Sequence, residues 1–210
     1  MGHILHLRNQ VRLRDENARD GILCILCEVS PIRAEAIVER ALAIASADKN
    51  RGLKFGLSSP DQEWFTKAGD PYYTDDHLGL TCSHFVLALF RDVGLPLVQF
   101  HTWPVRAEDV QWQEQLFRTA YDWEEEHDKA GLARLDGLKN GIGNKRVRPL
   151  EVAGAALAEG AALPVSFDRA VELGRAVEAV LNSRFPPAFQ ILAMKASRWF
   201  HGLRSLFGLS

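Results

Sequence analysis

The stretch from Cys82 to Pro96 constrains the fold more than any other part of the chain. Phe85, Val86, Leu89, Phe90 and Val93 recur at helical spacing, and Gly94, with Pro96 just beyond, stops the helix as a C′ glycine does. One face of such a helix has to be buried, so the chain must build a core around it. The helix begins near a cysteine, Cys82. A first-turn cysteine lies against backbone N–H groups that lack an intrahelical partner, at the positive end of the helix dipole. Both effects favour the thiolate, the form that attacks a carbonyl. The same position also suits a small buried cysteine with no chemistry.

The chain has 210 residues, of which 47% are hydrophobic, enough for one sizeable core plus an appendage. A formal charge of −2 gives no reason to expect a polyanionic partner, which sets nucleic acid aside. Three cysteines in a chain of this length do not read as a disulfide framework. Met1 to Arg14 carries histidines and arginines where a secretory h-region would be apolar, and no apolar run approaches the ~20 residues that span a bilayer. The expected setting is cytoplasmic.

Ahead of the cysteine helix, His3 to Leu7 and Val11 to Arg14 read as short strands, and Gly21 to Val29 reads as a buried one. Ser30-Pro31 starts a helix whose apolar face is Ala34, Ile37, Val38, Ala41, Leu42 and Ala45, fading at Ala47. Arg51 to Asp76 reads as a long irregular loop, a length that commonly carries function. After Trp103-Pro104 comes a charged helix, Ala107 to Ala130. A Gly- and Lys-rich connection (Gly131 to Pro149) then leads to helices around Leu150–Ala158 and Phe167–Leu181.

The segment Leu80-Thr81-Cys82-Ser83-His84-Phe85-Val86 resembles the nucleophile helix of the NlpC/papain-like superfamily. The order of parts before it is similar to the circularly permuted, YiiX-like branch. There a His-bearing strand, a further strand, a helix and an aromatic-rich turn (here Leu53 to Leu57) precede the cysteine. The resemblance covers about the first half of the chain. It implies an α+β fold: a small antiparallel sheet packed on the nucleophile-bearing helix, papain-like and permuted, with a mainly helical C-terminal half. The expected domains are a core over 1–100, a helical extension over 101–185 and an amphipathic C-terminal helix over 186–210. The implied activity is hydrolysis of an amide, peptide, thioester or ester bond through an acyl-enzyme. Cys82 would be the nucleophile and His3 the base, with no cofactor and no metal. His6 is the alternative base, on the opposite side of the strand, and Gln10 is the candidate orienting residue.

Other candidates fit less well. His84 reads as a helix-surface residue, His77 as part of a solvated loop with Asp75 and Asp76, and His127 as part of an acidic run. The unpermuted order would require His101 or His127. Cys24 and Cys27 match C-x-x-C but sit in an expected strand, where their side chains face opposite ways, so buried thiols are the better reading. Gly141 to Arg146 lacks Walker spacing and reads as a flexible basic linker. After Pro187, Phe189, Leu192, Ala196, Trp199, Phe200, Leu203, Leu206 and Phe207 fall on one side of a helix, with Lys195, Arg198 and Arg204 elsewhere. That pattern fits docking on the domain, a protein partner or a membrane surface. The reading that rivals the hydrolase is an inactive binding module that uses this helix.

Overall fold

A computed structural model describes residues 27–47, 55–72, 78–127, 132 and 135–184 in full, together with the backbone of 2–7 and 11–16. Two strands, β1 (Gly2–Leu7) and β2 (Val11–Glu16), form an antiparallel hairpin with Leu7 opposite Val11. Six helices follow. They are α1 (Pro31–Ala47), α2 (Cys82–Asp92), α3 (Ala107–His127), α4 (Asp136–Asn140), α5 (Pro149–Ala156) and α6 (Phe167–Arg184).

The expected α+β architecture is corrected. Of the fully described residues 63% are helical, and their only extended pairings are isolated bridges such as Phe55 with Leu80. The run Gly21 to Val29 does not supply the expected strand where it is described: Cys27 to Val29 is irregular, and 21–26 lies outside the described residues. An apolar run of this kind cannot be told from other buried segments by periodicity alone. What α2 packs against among the fully described residues is helix and irregular chain.

The helix boundaries follow from local chemistry. Thr81 caps α2, its hydroxyl accepting from the His84 N–H at 3.1 Å. At the other end the Gly94 N–H donates to the Arg91 carbonyl and the Leu95 N–H to that of Phe90. This is a Schellman closure with Gly94 at φ +72°.

α2 is buried on more sides than one stripe. Phe85, Ala88 and Leu89 pack with Ile44 of α1 and with Trp64, Phe65 and Leu80. Leu87 faces a second cluster with Leu97, Trp103, Val147, Val152 and Ala170. The region 101–184 therefore shares a core with the first half of the chain. A third cluster joins Leu57 to Ala120, Leu135 and Leu138. Residues 55–72 lack regular structure, yet they carry much of the core. Gly69, at φ +94°, makes this possible, because a side chain there would strike the Ala43 backbone at 2.5 Å. Likewise α5 and α6 cross at Gly154, where a Cβ would come within 2.4 Å of the Gly174 nitrogen.

The expected flexible linker is folded where it is described. Gln113 of α3 donates to the Asn144 carbonyl and accepts from the Gly143 N–H, and the Asn144 side chain donates to the Leu57 carbonyl. Asp109, 2% exposed, accepts from Arg106, Arg146 and Arg148. Glu151 accepts from Arg106, from the Trp103 indole and from the Arg148 N–H. Burial works to raise the Asp109 carboxyl, but Arg148 and Arg106 outweigh it and hold it below the usual aspartate value. Buried charges persist only with such partners.

Candidate functional site

The approach to Cys82 is built by two short segments lying side by side. The Gly56 N–H donates to the Leu80 carbonyl and the Ser58 N–H to that of Gly79, while the Ser58 hydroxyl accepts from the Gly79 N–H. Residues 55–58 thus run beside 79–80, directly ahead of the Thr81 cap.

Cys82 is the first residue of α2 and is exposed, whereas Thr81, Ser83, His84 and Phe85 around it are buried. The Thr81 hydroxyl and carbonyl take the N–H groups of His84 and Phe85. Those of Cys82 and Ser83 meet no acceptor among the described residues. The thiol therefore sits on the surface, at the end of a helix whose remaining side chains fix it in the core. No histidine is hydrogen-bonded to it among the described residues.

His84 is not on the helix surface as expected. It is 1% exposed and lies edge-on to Phe100. The Val147 N–H donates to Nε2 at 3.2 Å, so Nδ1 carries the proton and donates to the Ser58 carbonyl at 2.8 Å. Burial lowers its pKa to about 4; the Ser58 bond opposes this and the Arg146 charge adds to it. A neutral imidazole with both nitrogens engaged is a structural tie, not a base. It joins α2, the 55–60 segment and the chain entering α5. Helical periodicity missed it because the core surrounds α2 on several sides; its place next to a capped first turn was the only signal.

The hairpin register sets His3 opposite Asp15 and His6 opposite Arg12. The backbone of β1 passes close to α2, and that of β2 close to α1. The side chains of His3 and His6 lie outside the description, as do Gln10, Cys24, Asp75, Asp76 and His77. Cys27 is half-buried against the second cluster, and burial raises its thiol. His101 is exposed in a short turn whose carbonyl accepts from Lys145. His127 ends α3, exposed and stacked on Trp123. Among the described residues no three His, Cys, Asp or Glu side chains converge as a metal site, and no helix is long and apolar enough to cross a membrane.

A small pocket opens beside the C-terminal half of α2, lined by Pro60, Asp61, Leu87, Arg91, Leu97 and Phe100. Leu87 and Arg91 lie well along the helix from Cys82, and Cys82 does not line it.

Comparison with known proteins found no matching family model, no matching curated protein and no matching solved structure.

Proposed function

We propose that the chain is a thiol hydrolase in which Cys82 attacks a peptide, amide, thioester or ester carbonyl. The observation that carries this reading is the exposure of Cys82 at the first position of α2, on a helix otherwise buried around it. The sulfur adds to the carbonyl carbon while an imidazole takes the thiol proton. The tetrahedral oxyanion is met by first-turn N–H groups, those of Cys82 and Ser83 being free of described acceptors. Collapse expels the amine, alcohol or, from a thioester substrate, thiol, which receives the proton from the imidazolium, and leaves a thioester on Cys82. Water then releases the acid and regenerates the thiol.

His3 is the proposed base. Its strand passes near α2, and the Cys-Ser helix motif resembles the NlpC/papain-like one that pairs with an early-strand histidine. The resemblance supports the reading through that motif alone, because the sheet expected with it is not the fold. The substrate would be peptide or acyl in class, with no cofactor.

Incubation with p-nitrophenyl acetate tests this. Wild type should give a burst of p-nitrophenolate and a mass increase on the Cys82 peptide. Cys82→Ala should give neither, and His3→Ala should lose turnover while His6→Ala keeps it. Equal hydrolysis by wild type and Cys82→Ala would end the proposal.

A second reading is a binding module without catalysis. The commitment of His84, two residues along the same helix from Cys82, to Ser58 and Val147 favours it. Absence of any burst together with intact folding would select this reading.

A further inference from the structure

We propose that the cationic stretch 189–207 of this chain docks on the outer edge of α1, over Val38 and Leu42 and alongside Glu35 and Glu39. The proposal does not depend on the chemistry of Cys82.

The sequence gives α1 a broad apolar face, but the core uses only part of it. Ile44 is buried, and Ile37, Ala41 and Ala45 pack against the first cluster. Val38 stays 57% exposed and Leu42 44% exposed. These two side chains are four residues apart, so they stack on one edge of the helix. Glu35 lies three residues before Val38, and Glu39 three before Leu42, which puts an acidic margin along the same ridge. Both glutamates are exposed and make no ion pair with a described residue. β2 runs near α1, yet Val38 and Leu42 remain open beside it.

The occupant that suits an apolar ridge with an acidic border is apolar on one side and basic on the other. Residues 189–207 have that composition. Phe189, Leu192, Ala196, Trp199, Phe200 and Leu203 supply the apolar contacts, Lys195, Arg198 and Arg204 supply the charge, and no acidic residue follows Glu178. Lys195 stands eleven residues beyond Arg184, the end of α6, and that length of chain spans up to about 36–40 Å when extended. An anionic bilayer would instead be repelled by Glu35 and Glu39.

Zero-length carbodiimide cross-linking of the full chain, read by peptide mass spectrometry on the monomer fraction, tests the proposal. Lys195 is the only lysine after Lys145, so its cross-links are unambiguous. Wild type should link Lys195 to Glu35 or Glu39. Leu42→Asp should cut the yield at least tenfold, with Leu42→Ser as the milder variant should the aspartate disturb folding. Lys195→Glu should abolish the link, and pairing it with Glu39→Lys or Glu35→Lys should restore it. No link in wild-type monomer, a link found only in covalent dimers, or a yield indifferent to both Leu42 variants would overturn it. So would sedimentation of wild type with phosphatidylserine vesicles that Leu42→Asp leaves unchanged, which would assign the stretch to a membrane surface.

Discussion

The two sides of α2 are held by different physics. Toward α1, the core is aromatic and aliphatic: Trp64, Phe65, Phe85 and Ile44 close around each other. Toward α3 and α5, apolar packing shares the interior with a charged lattice in which three arginines surround Asp109 and Arg106 reaches on to Glu151. The first side depends chiefly on area removed from water, with one ion pair, Arg40 of α1 with Asp92 of α2. The second depends on every charge keeping its partner. His84 belongs to α2 but is tied to both sides, through Ser58 and Val147. The lesson is that one helix can be anchored by two regions that fail under different conditions.

The sharpest way to break the comparison is to remove one anchor at a time. Trp64→Ala, at a site 2% exposed, should cost about 3–5 kcal/mol in denaturant unfolding, with the same loss at pH 7 and pH 5. A loss that changed strongly with pH would contradict an apolar anchor. Asp109→Ala should cost about 3–4 kcal/mol at pH 7, because three buried or half-buried guanidiniums lose their common acceptor. A cost under ~1 kcal/mol would show that the lattice is dispensable.

Acid sharpens the distinction. His84 in the folded chain titrates at about 4, below its ordinary value near 6.5, so the unfolded chain binds its proton first. Its contribution is complete above pH ~6.5 and is lost as pH falls toward 4, a total of roughly 3 kcal/mol. Asp109 is held below the usual aspartate value, so its contribution persists above pH ~4 and is lost at lower pH. Unfolding curves of wild type and His84→Gln should therefore converge as pH drops from 6.5 to 4, since the amide keeps a donor and an acceptor without titrating. Parallel curves would remove His84 as the acid-sensitive tie. The smallest effect belongs to Ile32 in the first turn of α1, 80% exposed, where Ile32→Ser should change stability by under ~0.5 kcal/mol by thermal melting.

Much of the helical skeleton was legible from local signals. Ser30-Pro31 opens α1, and the Gly94-Pro96 stop closes α2, because caps and breakers act over a few residues. α3 begins at Ala107 as read, directly after Trp103-Pro104. The site was legible only in part. Cys82 at a helix start follows from sequence, whereas the burial of His84 and its bonds to residues 26 and 63 positions away do not. The Gly- and Lys-rich connection looked like a linker for the same reason. Its order comes from Gln113 and Leu57, which no local pattern associates with it.

Sequence alone determined where α1 and α3 begin, where α2 begins and stops, and that a cysteine would head α2, since those outcomes depend on neighbours along the chain. Only the tertiary structure decided that Trp64 and Phe65 of an irregular segment would form core, that Asp109 would gather three arginines, and that His84 would face inward. Burial and long-range hydrogen bonds depend on which surfaces meet, and that is fixed by the packing of the whole domain.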